Sequence, residues 1–309
     1  MIATLWDSFD RMLEEAESYF LNFQYNKALE TWEHYFKITA KQEYKNIVAE
    51  FRKTWDENKF TNVDSVYNLF QLLQNQKRQY TKKEISTYTY QLYRKLIIKI
   101  YKEKFRNNQD EKSSLEFGVF EYLAGNQSDA IKIFQEIIGR QPENIQARIY
   151  LGHAYFTKKD QRSAIATLSQ NLVLDAIQIL EDDLYLSQFK LLFGKLYSTH
   201  GNLAEASWLM AFESWYRNWL IIDEDPQFFK VIRNIETGDR IVQVKYYAWE
   251  RYRHFTRCLY IAEYVRHHLK GKSGMVEEQE HYMQRLDRAL FERYRKKRKG
   301  HVKLKENIE

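Results

Sequence analysis

One short spacing recurs along this chain: a glycine or alanine is followed twelve residues later by an alanine. The four pairs are Ala16 with Ala28, Gly118 with Ala130, Gly152 with Ala164, and Gly194 with Ala206. The second and third pairs are offset by 34 residues, and the fourth follows after 34 residues plus an insertion of eight. Two antiparallel helices approach to about 8 Å when small residues face each other at their crossing. We therefore expect each pair to mark a helical hairpin, and the fixed period predicts that hairpins stack.

The composition agrees with an all-helical chain. Only 2 Pro and 10 Gly occur in 309 residues, which leaves little material for β-hairpin turns. Long segments place apolar residues three and four positions apart without a helix breaker. Aromatic residues make up 16% of the chain, far more than a disordered chain carries. The sequence therefore predicts an all-α fold.

The residues around the small pairs resemble the tetratricopeptide repeat. A large apolar residue precedes each glycine, and Tyr155 and Tyr197 lie three residues after it. The similarity covers 111–178 and 187–220, and it is weaker over 9–42. The tryptophan of the family is absent, because Ser114 and Arg148 occupy its position. The resemblance implies an α-α superhelix, or solenoid, with diverged N-terminal helices and a long C-terminal capping helix pair.

These patterns predict four regions along the chain. Residues 1–110 contain one repeat-like hairpin and diverged helices, including three helices between residues 42 and 110, and end in the polar stretch "RNNQDEKSS". Residues 111–225 contain the repeats. Residues 226–292 contain the capping pair, with one helix from about Arg240 to Leu269 and the next from about Val276. Residues 293–309 form a basic tail.

The resemblance also implies a binding surface, because ligands of this family usually lie on the concave face that the first helix of each repeat lines. The matching positions are Leu115, Val119, Tyr122, Ile149, His153, Phe156, Leu191 and Lys195. The clamp for a carboxylate terminus is not matched, since Val119, His153 and Lys195 stand at its ninth position. We expect an apolar peptide or the protein's own C-terminal helix in this groove. The alternative is that these residues pack against flanking repeats.

Positive charge is concentrated at the C-terminal end. The net charge is +6, yet residues 245–309 hold 17 Lys+Arg and 9 Asp+Glu. The basic patch consists of Arg293, Arg295, Lys296, Lys297, Arg298, Lys299, Lys303 and Lys305. Such a block contacts nucleic acid, an anionic membrane surface or an acidic protein. The alternative is a disordered tail that only adds solubility.

Catalytic and metal-binding signatures are missing from the sequence. It contains no glycine-rich phosphate loop, GxSxG, HExxH or paired CxxC motif. Cys258 is the only cysteine, and Glu278 with His281 occurs as a single copy of a di-iron-type spacing. His267 and His268 point about 100° apart on a helix, so they are not a chelating pair with Glu263. We expect no catalytic residue, no metal and no cofactor.

The expected function is therefore that of a non-catalytic protein–protein interaction scaffold or adaptor that binds a peptide or protein partner on the concave face. The alternative is a nucleic-acid-associated protein that uses the basic segment to contact phosphate. The N-terminus has acidic residues from position 7 and no basic start before an apolar run, which argues against a signal peptide. With no apolar window long enough to span a membrane, a cytoplasmic protein is the expectation. The sequence leaves the oligomeric state open.

Overall fold

The computed structural model describes residues 5–107, 114–177, 186–222, 225–239 and 247–306. Within these ranges all regular secondary structure is helical and the helices pack in pairs, which confirms the predicted all-α class. The chain divides into two compact units, Met1–Gly125 (unit 1) and Asn126–Glu309 (unit 2). This division falls within the predicted repeat region and not in the polar stretch before it.

The helices of unit 1 are α1 (Leu5–Leu21), α2 (Tyr25–Thr39), α3 (Gln42–Thr54), α4 (Glu57–Thr61), α5 (Val66–Thr81), α6 (Thr87–Ile100) and α7 (Leu115–Leu123). The helices of unit 2 are α8 (Gln127–Arg140), α9 (Ile145–Thr157), α10 (Gln161–Leu174), α11 (Ser187–His200), α12 (Leu203–Tyr216), α13 (Pro226–Asp239), α14 (Ala248–His268), α15 (Ser273–Leu286) and α16 (Arg288–Glu306). A π-helical turn, Tyr101–Phe105, extends α6.

Unit 1 is built around stacked aromatic side chains. Helix α1 packs on α2 and α6, and α3 packs on α2 and α6. The rings of Trp32 and Phe51 stack with centroids 5.1 Å apart, and those of Phe60 and Tyr93 stack at 5.6 Å. The Tyr93 hydroxyl lies 2.8 Å from Thr54 Oγ1, so the ring is buried while its polar end keeps a partner. This core joins α2, α3, α4 and α6.

The three helices predicted between residues 42 and 110 are present, with two differences. The short helix α4 was not predicted. The third helix begins at Thr87 and not near Lys82, because the chain turns at Lys83 with a φ of 58°. The Ser86 side chain then accepts a hydrogen bond from the Thr89 amide and caps α6.

Unit 2 buries the central turns of one helix on all sides. Every residue of α14 from 254 to 265 is buried. The helix packs against α10, α12, α13 and α15. Burial on all sides over these residues exceeds the single apolar face of an ordinary amphipathic helix. The predicted start of α14 at Arg240 lies outside the described residues.

The predicted last helix is divided into α15 and α16. The break is at Asp287, whose backbone is extended and whose side chain accepts a hydrogen bond of 2.9 Å from the Leu290 amide. This bond satisfies an amide at the start of α16, as an N-cap does. The second helix continues to Glu306, so the basic segment is helical over residues 293–306.

The four small-residue pairs share one turn geometry. In each, the residue seven positions after the first small residue has a left-handed backbone. These residues are Phe23, Gly125, Lys159 and Gly201, with φ of 58°, 91°, 64° and 65°. After α1 and α9 the turn closes with the hydrogen bond of a Schellman motif, from the Gln24 amide to the Tyr19 carbonyl and from the Asp160 amide to the Tyr155 carbonyl. The common turn supports the equivalence of the four segments.

The small residues themselves do not all serve the same purpose. All four second alanines are fully buried, and Gly118 and Gly152 are buried as well. Gly194, however, is exposed, and a Cβ added there would meet no atom within 4 Å. The prediction of a close helix approach is therefore wrong at Gly194, where the helix only loses the stability that a side chain would add.

Substitution of leucine at the two glycines separates these cases. Gly152→Leu is expected to lower the free energy of unfolding by about 1–3 kcal/mol, since extra methylene groups would have to enter a packed region. Gly194→Leu is expected to leave it unchanged or raise it by up to about 1 kcal/mol through helix propensity. Urea unfolding monitored by circular dichroism measures both. Equal stability of the two variants would contradict the assigned packing of α9.

Candidate functional site

The predicted groove residues form three short helical stripes. Leu115, Val119 and Tyr122 share a face of α7 in unit 1. Ile149, His153 and Phe156 share a face of α9 in unit 2, at i, i+4 and i+7. Leu191 and Lys195 share a face of α11, also in unit 2.

Two of these residues belong to the core. Val119 is 1% exposed and Ile149 is 4% exposed. At these positions the structure therefore favours packing over ligand contact. Leu115, Tyr122 and His153 are half-buried, and the His153 ring makes an edge contact with Tyr150 at a centroid distance of 6.2 Å.

The remaining residues are accessible to a partner. Leu191 is 76% exposed, which is unusual for leucine at the centre of a helix face, and Phe156 is 41% exposed. Lys195 is also exposed. Helix α11 therefore presents a wide solvated surface, here called the α11 face, whose exposed residues are Lys190, Leu191, Gly194, Lys195, Tyr197 and Ser198.

The α11 face combines apolar and positive groups. Tyr197 is 47% exposed and stacks on Phe193 with ring centroids 6.0 Å apart. The sequence pattern did not predict this exposure, because Tyr197 has the same position relative to its glycine as Tyr155. Helix α11 contains no aspartate or glutamate, and its exposed Lys190 and Lys195 lie on the same helix as Leu191 and Tyr197. This surface suits an apolar side chain flanked by carboxylates.

The predicted basic patch does not form one surface. Helix α16 packs on α15, and its inward side chains reach acidic and aromatic groups of unit 2. Arg293 Nη2 lies 2.7 Å from Glu213 Oε1, and its guanidinium group lies over the Phe212 and Tyr216 rings at 4.9 and 4.8 Å. Arg298 Nη1 lies 3.3 Å from Glu263 Oε2. These cations are neutralised within the fold.

A buried carboxylate anchors this helix. Glu263 of α14 is 2% exposed and pairs with Arg266 at 2.7 Å as well as with Arg298. Burial opposes ionisation of Glu263, but the His267 hydrogen bond and the two arginines outweigh burial, and the pKa of this carboxyl is lowered. Arg266 also contacts the Tyr294 hydroxyl, so α14 and α16 are joined through one polar cluster.

Lys297 lies in a different environment from the other lysines of α16. Its ammonium group lies 4.0 Å from the centre of the Trp215 ring and donates a hydrogen bond to the Trp215 carbonyl. Burial lowers the pKa of Lys297 to about 8. This lysine is therefore partly neutral in mildly alkaline solution.

The exposed face of α16 keeps four described cations, Arg288 and three members of the predicted basic patch. Arg295, Lys296 and Lys299 are exposed, and Arg295 Nη1 lies 3.7 Å from Glu292 Oε1. Lys303 and Lys305 fall within the helical backbone of α16, but their side chains lie outside the described part of the chain. Folding therefore reduces the predicted eight-residue patch to a smaller exposed set.

The buried polar groups around Cys258 form no open site. Cys258 is fully buried, and its thiol donates to Glu236 Oε1 at 3.6 Å, while His254 Nδ1 lies 3.1 Å from Glu236 Oε2. A reactive thiol requires access to solvent. This cluster links α13 to α14 and serves packing.

The adjacent histidines His267 and His268 point to different partners. His267 Nε2 lies 3.7 Å from Glu263 Oε2, whereas His268 Nε2 lies 3.4 Å from the Ile222 carbonyl. Glu278 and His281 are exposed on α15. Within the described residues, no three His, Cys, Asp or Glu side chains are grouped as metal ligands. Among the described helices, none has both the length and the apolar composition needed to cross a bilayer.

Comparison with known proteins gave no match to a family model, a curated protein or a solved structure.

The environment of Lys297 predicts a measurable pH dependence. The pKa of Lys297 in the folded chain is about 8, below its ordinary value of 10.5, so the unfolded chain binds more protons between these pH values. The free energy of unfolding should therefore gain a contribution as pH rises from 8 to 10, and this contribution is absent below pH 8. In Lys297→Met the contribution is missing.

We expect the stability difference between Lys297→Met and the parent chain to change across pH 8–10 in favour of the parent. Denaturant unfolding at half-unit pH steps measures it. Tyrosines with raised pKa, such as Tyr93, remain in both chains and cancel in the difference. A constant difference over this range would show that Lys297 is not desolvated.

Proposed function

We propose that this chain is a non-catalytic protein-binding scaffold and that the α11 face and Phe156 contact its partner. The exposure of Leu191 at the centre of a helix face without acidic residues carries the proposal. An apolar group held in water contributes about 1.5–3 kcal/mol when a partner buries it fully. The flanking lysines favour a partner segment that places carboxylates beside an apolar side chain.

The tetratricopeptide-type solenoid and the adaptor role are part of this proposal. Pairwise helix packing and the common left-handed turn support the repeat assignment. In that family the first helix of each repeat provides ligand contacts, and α9 and α11 are the first helices of two such hairpins. A cytoplasmic location belongs to the same proposal and is supported by the single buried cysteine, which requires no oxidising compartment.

Substitution of the exposed residues tests this function. Leu191→Asp and Phe156→Asp are expected to lower partner recovery at least tenfold in a low-salt co-purification quantified by mass spectrometry. Both residues are exposed, so melting temperatures should shift little. Tyr67→Asp is the matched control, since Tyr67 is an exposed aromatic residue on α5 of unit 1. Equal recovery by all three variants and the parent would refute a role for these residues.

A second candidate function is nucleic-acid association, which is favoured by the exposure of Arg295, Lys296 and Lys299 on one side of α16. Neutralising these three residues with glutamine should reduce the slope of log affinity against log salt for duplex DNA by about 2 to 3. Fluorescence anisotropy with a labelled duplex measures the slope.

The control for this test is Arg293→Gln, since Arg293 is half-buried and its charge is paired with the buried carboxylate of Glu213. That substitution should lower stability and leave the salt slope nearly unchanged. If the two variants change the slope equally, the division of α16 into inward and outward cations does not govern binding. If the parent chain binds no duplex at 50 mM salt, this function is excluded.

A further inference from the structure

A groove of about 600 Å³ lies between α2 and α3 on unit 1. Three of its lining residues, Phe36, Val48 and Ala49, make an apolar floor. Phe36 lies on α2, whereas Val48 and Ala49 lie on α3. The lining positions on α3 follow the i, i+3, i+4, i+7 spacing of one helical stripe. This groove involves none of the predicted groove residues and neither of the surfaces proposed above.

The rim of the groove is strongly positive. Four cations line it, namely Lys37 of α2 and Lys45, Arg52 and Lys53 of α3. Among the lining residues that the structure describes, Glu33 is the one carboxylate, and it already pairs with Arg52 across the groove. The three lysines are exposed, so their charges face the opening of the groove.

The combination of floor and rim restricts the occupant. A free phosphate or a nucleic-acid backbone would use the cations but would leave the apolar floor wet. An uncharged apolar segment would cover the floor but would desolvate lysines without pairing them, which is unfavourable. A helix with one apolar stripe flanked by carboxylates covers the floor and pairs the cations of the rim. Electrostatic complementarity of this kind also speeds association.

The length of the groove fits two helical turns. From Lys45 to Lys53 α3 rises about 12 Å at 1.5 Å per residue. A partner helix of that length can place apolar side chains at i and i+4 over the floor, with carboxylates on the two flanks of that stripe beside the rim lysines.

We propose that the α2–α3 groove binds an acidic amphipathic helix of a partner protein. The floor receives the apolar stripe of that helix, and the rim pairs with its glutamate or aspartate side chains. Because exposed ion pairs are individually weak and screened by salt, affinity depends on the floor and the rim together. This site is independent of the α11 face.

The test uses the full chain and a fluorescein-labelled 18-residue peptide with leucines on one helical face and glutamates on the flanks. Two comparison peptides carry lysine in place of each glutamate, or the same residues in a scrambled order. Fluorescence anisotropy should show binding of the acidic amphipathic peptide that is at least tenfold tighter than that of either comparison peptide. Raising the salt concentration from 50 to 300 mM should weaken it severalfold.

Two substitutions locate the binding in the groove. The double variant Lys45→Glu with Lys53→Glu reverses the rim, and Ala49→Glu places a carboxylate on the floor at an exposed position that folding tolerates. Each should weaken the acidic peptide at least tenfold. The matched control, Arg78→Glu with Lys102→Glu, makes the same charge change at exposed positions of α5 and the π-turn, and should change affinity less than twofold.

Several outcomes would overturn the proposal. Equal binding of the scrambled peptide would show attraction by charge alone, as would equally effective competition by an 18-nucleotide single strand of DNA. An equal loss in the control variant would place the binding elsewhere on unit 1. Leu191→Asp should leave the peptide affinity unchanged, and a loss in that variant would assign the binding to the α11 face. Thermal melts of each variant verify that the chain is folded.

Discussion

The burial of α14 from residue 254 to residue 265 is the constraint on which unit 2 depends. A helix buried on all sides is normally apolar all round, yet α14 carries His254, Thr256, Arg257 and Glu263 inside. Each of them reaches a group on a neighbouring element or within the helix. Thr256 donates to the Trp208 carbonyl at 3.1 Å, and Arg257 donates to the Leu174 carbonyl at 3.2 Å.

The partners of these groups determine how the surrounding helices are placed. A buried charge that loses its partner costs about 3–5 kcal/mol, and a buried neutral polar group that loses its hydrogen bond costs about 1–3 kcal/mol. Helices α10 and α12 must therefore present their carbonyls, and α13 must present Glu236, for α14 to be inserted. The polar groups fix one register of the bundle, whereas an apolar helix of the same size would accept several.

The same constraint explains why the basic segment packs against the rest of unit 2. Glu263 requires a cation, and Arg298 of α16 supplies one, while Arg293 compensates Glu213 of α12. A stretch that reads as a solvated tail thus becomes part of the core on one side. Periodicity alone does not predict this packing, because Tyr294 is the only aromatic residue in residues 293–305. The acidic partners of Arg298 and Arg293 lie 35 and 80 residues earlier in the chain.

Local spacing predicted the helices well, because helix formation depends on residues close in the sequence. Long-range features were not predictable in this way. The common left-handed turn residue is glycine in two hairpins but Phe23 and Lys159 in the others, so tertiary context imposes a conformation that those side chains disfavour. Gly152 and Gly194 have the same place in the pattern, but only the first is buried, since exposure depends on what covers each helix. For the same reason the spacing placed Ile149 and Leu191 in one candidate surface, although one is core and the other is 76% exposed.

The surfaces that remain after folding share one physical character. The α11 face and the α2–α3 groove each have an apolar centre bordered by lysine or arginine, and they lie on separate units. Carboxylates such as Glu213, Glu263 and Glu236 are buried with partners, so part of the negative charge of the chain is withdrawn from its surface. An acidic amphipathic partner segment can bind favourably to either surface. Its carboxylates pair with the bordering cations, and its apolar stripe is removed from water on the apolar centre.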